Sequence, residues 1–318
     1  MKMINFKTRI CEIFDIEYPI LLGGMAWVGT AKLAAAVSNA GGLGIIGAGA
    51  MDGEMLRREI ERYRTMSDKN FGVNIILLSP YADELVEVVM EEKVPVVSFG
   101  AGNPTKYIPK LKEKGIKVIS VVSSDSLARL VERSGADVIV AEGMESGGHI
   151  GDVTTVVLVR KIVDTVKIPV VAAGGIVDGR GFLAMLALGA EGVQMGTRFV
   201  ASLECEAHEN YKKKILKASI RDTVVTGLKL GHPARVIKNK LTRKVLELEE
   251  FGNTEEAEKF LIGTLRKAFE GDVDNGSVMA GQSSGLIEDL KSVKEIMEDI
   301  VREAHDTLTE LSHKFLGR

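Results

Sequence analysis

A histidine and a glutamate capable of acid–base chemistry lie close together in one glycine-rich stretch of the chain. His149 follows Ser146, Gly147 and Gly148, so no bulky neighbour in the sequence covers its imidazole ring. An accessible histidine titrates near neutral pH and can donate a proton to a ligand or polarise it. Glu142 ends a buried apolar run, where a ligand hydroxyl or a backbone N–H is the expected partner of its charge. We therefore predict that His149 faces a ligand and is catalytic, whereas the other four histidines lack such surroundings.

Two glycine-containing turns indicate a phosphate site. Gly174-Gly175 follows Ala173 at the end of one apolar run, and Gly196-Thr197 follows the next run along the chain. Glycine lets backbone N–H groups approach an anion closely, and a helix N-terminus favours negative charge. An isolated glycine pair is more often a helix cap or a tight turn. Because these two turns follow consecutive runs, we predict that they bind the phosphate of a ligand.

The chain contains only two glutamines, and both lie near these segments. Gln194 belongs to the last apolar run, and Gln282 ends the Met279-Ala280-Gly281-Gln282 loop. Coincidence is one explanation for two residues. The other is a shared role in recognising a ring that carries both hydrogen-bond donors and acceptors, which carboxamides match well.

Eight short runs rich in Val and Ile must position these residues. They lack polar alternation and are separated by stretches of helical period such as 30–39, 83–92 and 124–133, a pattern typical of buried parallel strands. Eight strand–helix units favour an α/β fold of the (β/α)₈ (TIM) barrel type, with the site in the loops that follow the strands. A doubly wound open sheet is the alternative. The runs are 19–22, 43–46, 71–77, 94–98, 117–122, 137–141, 168–173 and 192–195.

The chain continues far beyond the eighth run, further than one closing helix requires. We predict an extended piece at 224–227, helices at 234–249 and 254–270, a Gly/Ser loop at 272–285, and a long charged helix from about Leu286. The predicted barrel comprises 1–202 and 274–318. Residues 203–273 are predicted to form a smaller, mainly helical insertion after strand 8, serving a substrate or partner.

Composition excludes several classes of protein. The 41 basic and 44 acidic residues leave a formal net charge of −3, which argues against a nucleic-acid binder or a membrane-surface protein that relies on bulk charge. No run reaches the roughly 18 to 20 apolar residues that span a bilayer, and the N-terminal residues do not resemble a signal peptide. We predict a soluble, cytoplasmic protein without a metal site.

Seven segments in barrel order carry a family pattern over nearly the whole chain: 18–20 with 23–27, 40–47, 71–75, 141–151, 172–176, 194–199 and 276–282. Together they resemble the FMN-dependent enoyl-acyl carrier protein reductases of the FabK type, within the wider nitronate monooxygenase (2-nitropropane dioxygenase) superfamily. The stretch Glu142 to His149 and the 279–282 loop look more like the FabK type than like a nitronate monooxygenase.

The resemblance implies a tightly bound FMN, with its phosphate on Gly174, Gly175, Gly196 and Thr197, and His149 in the catalytic position. It further implies NADH as a transient reductant, an enoyl thioester of acyl carrier protein as substrate, and a homodimer, and it leaves room for a monovalent cation. The other residues implied to bind the flavin are Gly24, Met25, Ala26, Asn74, Glu142, Ser146, Gly147, Ala173, Gln194, Met279, Ala280, Gly281 and Gln282.

Three other functions remain open at this point. The nearest is a nitronate monooxygenase that oxidises nitroalkanes or nitronates with FMN and oxygen. The others are a flavin-binding regulatory protein without turnover and a flavin-free phosphosugar enzyme.

A basic run in the insertion is either a solvated helix face or a dock for the acidic carrier protein. Its members are Lys212, Lys213, Lys214, Arg235, Lys238, Lys240, Arg243 and Lys244.

Overall fold

In the computed structural model, which describes residues 4–317, the eight Val- and Ile-rich runs form eight parallel strands. Their side chains are almost entirely buried, because helices cover the outer face and packed side chains fill the inside. All eight predicted strands are therefore confirmed, with ends that differ by at most two residues. They are β1 (Ile20–Leu22), β2 (Gly44–Gly47), β3 (Phe71–Ile76), β4 (Val96–Gly100), β5 (Lys117–Val122), β6 (Val138–Glu142), β8 (Val170–Ala173) and β9 (Gly192–Met195).

The sheet closes on itself. Neighbouring strands follow the order β1-β9-β8-β6-β5-β4-β3-β2, and a parallel bridge joins Leu21 of β1 to Leu43 just before β2. The Leu22 N–H donates to the Leu43 carbonyl at 2.9 Å, and the Leu43 N–H donates to the Ile20 carbonyl at 3.0 Å. The fold is thus a (β/α)₈ barrel, and the open-sheet alternative is wrong.

Helices follow the strands and surround the barrel. The predicted helices at 30–39, 83–92 and 124–133 are confirmed, and the Ser124 side chain caps the last of them by accepting from the Leu127 N–H at 3.3 Å. The barrel helices are α1 (Arg9–Phe14), α2 (Ala31–Asn39), α3 (Gly53–Arg64), α4 (Ala82–Glu91), α5 (Ile108–Glu113), α6 (Asp125–Arg133), α7 (Thr155–Val163), α8 (Gly179–Ala187), α9 (Thr197–Val200) and α14 (Val293–Leu316).

The segment after α9 differs from its predicted elements in two places. The helix expected over 234–249 is wrong in its first turn, because Ala234–Ile237 is a strand (β11) that pairs antiparallel with Thr223–Thr226 (β10). The helix there, α11 (Lys240–Glu250), begins after Asn239, whose side chain accepts from the Thr242 N–H. The helix expected over 254–270 is broken into α12 (Thr254–Leu261) and α13 (Thr264–Phe269). Gly263 separates them in a left-handed conformation with φ 73°.

The C-terminal helix also begins later than expected. It starts at Val293 rather than near Leu286, since a 3₁₀ turn occupies Gln282–Leu286 and Ser292 forms a capping box with Glu295. The helix packs against α8, where Glu303 accepts from the Gly179 N–H at 2.8 Å.

A small three-stranded sheet joins the insertion to the barrel. Its third strand is β7 (Gly148–His149), which lies in the loop between β6 and α7 and pairs antiparallel with β11. The insertion also contains helix α10 (Glu209–Leu216) and a second hydrophobic cluster of Leu241, Val245, Leu248 and Ala257. The division of the chain into a barrel and an inserted domain stays a prediction. No helix within residues 4–317 is long and apolar enough to cross a membrane.

Candidate active site

The loops at the carboxyl ends of the barrel strands enclose a cavity of about 1310 Å³, including its open mouth. The carboxyl ends of parallel barrel strands meet at one face, which brings together segments far apart in the sequence. Every residue predicted to bind the flavin or to be catalytic lines this cavity except Ala280 and Gln282. The predicted site residues therefore lie together around one cavity.

The predicted phosphate turn at Gly174 and Gly175 has a backbone conformation that suits an anion. Gly174 and Gly175 are consecutive left-handed residues, with φ 102° and 76°. A Cβ atom at Gly174 would lie 2.8 Å from Thr155 Oγ1 and 2.9 Å from Ser146 Oγ, so a side chain has no room there. Backbone N–H groups in such turns form concavities that bind anions. Gly196 immediately precedes α9 on the adjacent strand end, as predicted.

Asn74 and Gly24 form a wall of the cavity in close contact. Asn74 is only 6% exposed, and its Oδ1 has no hydrogen-bond partner among the residues that the structure describes. A Cβ atom at Gly24 would lie 2.1 Å from Asn74 Nδ2, so only glycine fits beside this amide. A buried acceptor without a donor destabilises the protein. The orphaned Oδ1 is therefore suited to a ligand that offers an N–H group.

Glu142 lies half-buried where β6 ends in the cavity wall. Burial raises the pKa of its carboxyl group to about 7, and a hydrogen bond with Ser146 opposes part of that rise. Near neutral pH the side chain therefore exists in both protonation states and can donate or accept a hydrogen bond. This agrees with the prediction that Glu142 meets a ligand.

His149 lies at the mouth of the cavity on β7. The preceding Gly148 has φ 83°, a left-handed conformation that turns the chain so that His149 pairs with Ala234 of β11. Partial removal of the imidazole from water lowers the pKa of His149, because it disfavours the charged form, and the charge of nearby His232 lowers it further. The neutral imidazole is therefore favoured at physiological pH, and it can donate or accept a hydrogen bond.

The 279–282 segment, which is distant in sequence from the other predicted site residues, packs against the loop that contains Gly147 and closes the cavity there. A Cβ atom at Gly147 would lie 2.6 Å from the Ala280 carbonyl carbon, which shows how tightly the two loops are stacked. The Gln282 N–H donates to the Glu145 carbonyl at 2.9 Å. Ala280 is buried, Gln282 begins the 3₁₀ turn, and neither residue lines the cavity. Gln194 does line it, and the shared role of the two glutamines stays a prediction.

Several residues that the sequence did not single out hold these loops in place. Glu145 accepts from the Thr155 N–H at 2.9 Å and so caps α7, while Thr155 Oγ1 lies 2.8 Å from Glu145 Oε2 and 3.1 Å from the Gly174 carbonyl oxygen. The Tyr211 hydroxyl donates to the Met279 carbonyl at 2.7 Å. Glu145 is an acidic residue in the segment that leads into α7, which was an available signal for a contact at the N-terminus of that helix. Tyr211 had no comparable signal, because its partner is distant in sequence.

The basic run of the insertion does not form one surface. Lys212 is 9% exposed and donates through Nζ to the Ser202 carbonyl at 2.8 Å. Arg235 is 4% exposed and points into the protein. These two residues cannot belong to an exposed dock, and that part of the prediction is wrong. Lys238, Lys240, Arg243 and Lys244 are exposed.

Sequence comparisons agree on one family. A family model described as nitronate monooxygenase matches residues 7–85 and 79–303. A probable nitronate monooxygenase of Staphylococcus saprophyticus is 35% identical, over 96% of this chain and 99% of the relative. The (3aS,4S,5R,7aS)-5-hydroxy-7a-methyl-1-oxo-octahydro-1H-indene-4-carboxyl-CoA dehydrogenase of Rhodococcus jostii is 34% identical, over 95% of this chain and 97% of the relative.

Solved structures give a closer match. FabK from Thermotoga maritima is 63% identical, with a TM-score of 0.96 over 97% of this chain and 99% of that one. A nitroalkane oxidase from Streptomyces ansochromogenes is 29% identical, with a TM-score of 0.84 over 96% of this chain and 100% of that one. An enoyl reductase domain of MlnA from Bacillus amyloliquefaciens, at 16% identity and a TM-score of 0.78, shares the fold.

Proposed function

Because the chain belongs to the nitronate monooxygenase family, we propose that it is an FMN-dependent enoyl-acyl carrier protein reductase of the FabK type. The proposed reaction is the NADH-dependent reduction of a trans-2-enoyl-acyl carrier protein to the saturated acyl form, the last step of a fatty acid elongation cycle. The observation that carries the proposal is the 63% identity to Thermotoga maritima FabK over 97% of the chain. A dehydrogenase of a carboxyl-CoA thioester among the relatives adds a second link to thioester chemistry.

The residues of the cavity fit an FMN. The left-handed turn at Gly174 and Gly175 suits a phosphate, the orphaned Oδ1 of Asn74 suits an N–H group of the ring, and glycine at 24 lets the chain pack closely against the Asn74 amide. Gly196 and Thr197 would complete the phosphate site. When bound, FMN supplies hydride transfer from NADH to the β-carbon of the enoyl thioester.

The protein's own residues would bind and polarise the substrate. His149 at the cavity mouth would hydrogen-bond the thioester carbonyl oxygen, stabilising the enolate that develops there, or provide the proton that the α-carbon receives. Glu142 would hold a hydrogen bond to the ligand in either protonation state. The 279–282 segment would keep water out by covering the loop that contains Gly147.

The carrier protein, a homodimeric assembly and a monovalent cation belong to the same proposal. The exposed basic side chains of the insertion offer a surface for an acidic carrier protein, because opposite charge accelerates and orients docking. Sedimentation of the purified protein tests the dimer, and turnover measured with potassium or tetramethylammonium chloride tests the cation.

Anaerobic stopped-flow spectroscopy tests the function. The purified protein should have the visible absorption of a flavin, NADH should bleach it rapidly, and crotonyl thioester should restore it. His149→Ala should retain the flavin and its reduction by NADH but slow reoxidation by the thioester. A colourless protein, or a reduced flavin that the thioester fails to oxidise, would refute the proposal.

Nitronate monooxygenase activity is the second candidate, favoured by the family model and by the 29% identical nitroalkane oxidase. In that reaction His149 would act as a base on a nitroalkane. Oxygen consumption with a nitronate in the absence of NADH distinguishes the two activities. Fast nitronate turnover together with no thioester-dependent reoxidation would establish this alternative.

A further inference from the structure

The loop that holds His149 forms an extra strand on the hairpin of the insertion. His149 lies opposite Ala234 in the register of β7 and β11, and Gly148 lies opposite Arg235. The Ile150 N–H donates to the Pro233 carbonyl at 3.1 Å, so the pairing continues beyond the two-residue strand. The position of His149 therefore depends on a hairpin that lies more than seventy residues later in the chain.

Arg235 ties this hairpin to the base of the same loop. Its side chain is almost completely buried, Nε donates to the Met144 carbonyl at 2.9 Å, and Nη1 donates to Thr223 Oγ1 on the neighbouring strand at 3.0 Å. Within residues 4–317 it makes no ion pair; burial disfavours its charge, and nearby Glu145 offsets part of that effect. A buried guanidinium is costly unless its rigid fork meets well-placed acceptors. These contacts leave Arg235 little freedom to move.

The contacts of Arg235 continue to the phosphate turn. Met144 is followed by Glu145, whose carboxylate accepts from the Thr155 N–H. Thr155 Oγ1 in turn lies 3.1 Å from the Gly174 carbonyl oxygen. Hydrogen bonds, together with the peptide bond between Met144 and Glu145, thus link the insertion hairpin, the His149 loop and the predicted phosphate site.

We propose that Arg235 is a positioning residue for His149. The Arg235 side chain fixes the Met144 carbonyl to the same hairpin whose β11 backbone pairs with Gly148 and His149, so that the imidazole stays at the cavity mouth in the orientation that polarises the thioester. Arg235 itself lies outside the cavity lining and does not touch the substrate. This inference rests on the proposed function only for the affected reaction, which is the reduction of the enoyl thioester.

The kinetic test compares Arg235→Met with Arg221→Met, which removes an exposed arginine next to the same hairpin. Both half-reactions are measured anaerobically in the full-length flavin-loaded protein. Arg235→Met should slow reoxidation by crotonyl thioester at least tenfold and change flavin reduction by NADH less than threefold. Arg221→Met should leave both rates within twofold of the original. An unchanged reoxidation rate in Arg235→Met would overturn the inference.

The His149→Ala background separates positioning from general damage. If Arg235 acts through His149, Arg235→Met should slow reoxidation no further when His149 is already alanine. The two substitutions then remove the same contribution to the rate. Equal slowing in both backgrounds would show that Arg235 supports the cavity in some other way and would overturn the inference.

A third readout does not depend on the enoyl reaction. The imidazole signals of His149 in a nuclear magnetic resonance spectrum, assigned by their absence in His149→Ala, should shift in Arg235→Met and stay in place in Arg221→Met. Unshifted signals would refute the positioning role even if the protein proves to have another activity. Failure of the original protein to reduce the thioester would count against the proposed function alone. If Arg235→Met does not fold, Thr223→Val removes only the acceptor of Arg235 Nη1. It should slow reoxidation and shift the His149 signals in the same way but by smaller amounts.

Discussion

Replacing Glu142 by glutamine should remove a pH dependence of folding stability that the site itself creates. The carboxyl group lies at the end of β6, and burial raises its pKa to about 7 from an ordinary value of 4.5. Glutamine keeps the size and hydrogen-bonding capacity of the protonated acid but has no proton to lose. The flavin-free protein is the proper subject, since a bound ligand would add its own stabilisation.

The sign and size of the effect follow from proton linkage. In the unfolded chain the carboxyl group loses its proton above about pH 4.5, whereas in the folded protein it keeps that proton up to about pH 7. Glu142 therefore contributes its full stability below pH 4.5, and this contribution is lost as the pH rises through 7. A tenfold difference in proton affinity corresponds to about 1.4 kcal/mol, so the shift from 4.5 to about 7 gives a complete loss of about 3.5 kcal/mol at most. Solvent in the open cavity reduces that figure.

Urea unfolding of the flavin-free protein measures this loss. Between about pH 5 and about pH 8 the original protein should lose about 2 kcal/mol more unfolding free energy than Glu142→Gln. Glu288→Gln, which changes an exposed carboxyl group, serves as the control and should follow the original protein. Identical pH dependence in the original protein and in Glu142→Gln would refute the reasoning, because the buried carboxyl group would then titrate alike in both states.

Two further predictions concern the cavity wall and the basic surface. Gly24→Ala should weaken FMN binding at least tenfold in a fluorescence titration, since its Cβ would overlap the Asn74 side chain. The control is Gly23→Ala, whose Cβ would make only ordinary contacts, and this variant should bind FMN normally. Equal affinities of the two variants would show that Asn74 moves aside freely. Reversing the exposed Lys240 and Arg243 to glutamate should raise the KM for an acyl carrier protein substrate several-fold at low salt and leave the KM for crotonyl-CoA unchanged. The same KM for the carrier protein substrate would remove this surface from docking.

Much of the barrel was predictable because its signals are local. A buried parallel strand needs several consecutive apolar residues, and the glycines that follow mark the turn at its carboxyl end. Once eight strands are counted, barrel geometry places every such turn at one face. That argument by itself brought His149, Glu142 and the turns at Gly174 and Gly196 into one site, and all of them line the observed cavity.

The elements after α9 were harder to predict because local patterns compete there. Residues 234–237 continue smoothly into the apolar period of α11, and their strand conformation comes from pairing with β10 and β7. The absence of Ala280 and Gln282 from the cavity lining was likewise decided by packing. Ala280 lies against the Gly147 backbone, and the Gln282 N–H donates to the Glu145 carbonyl.

The sequence by itself determined the fold class, the face of the barrel that bears the site and the residue types available for catalysis, because apolar periodicity and glycine turns act over a few residues. Only the tertiary structure decided which distant groups hold those residues in place. Arg235 looked like part of a basic surface in the sequence, yet it is buried against Met144 and Thr223. Contacts of that kind join segments separated by many residues, and no local pattern specifies them.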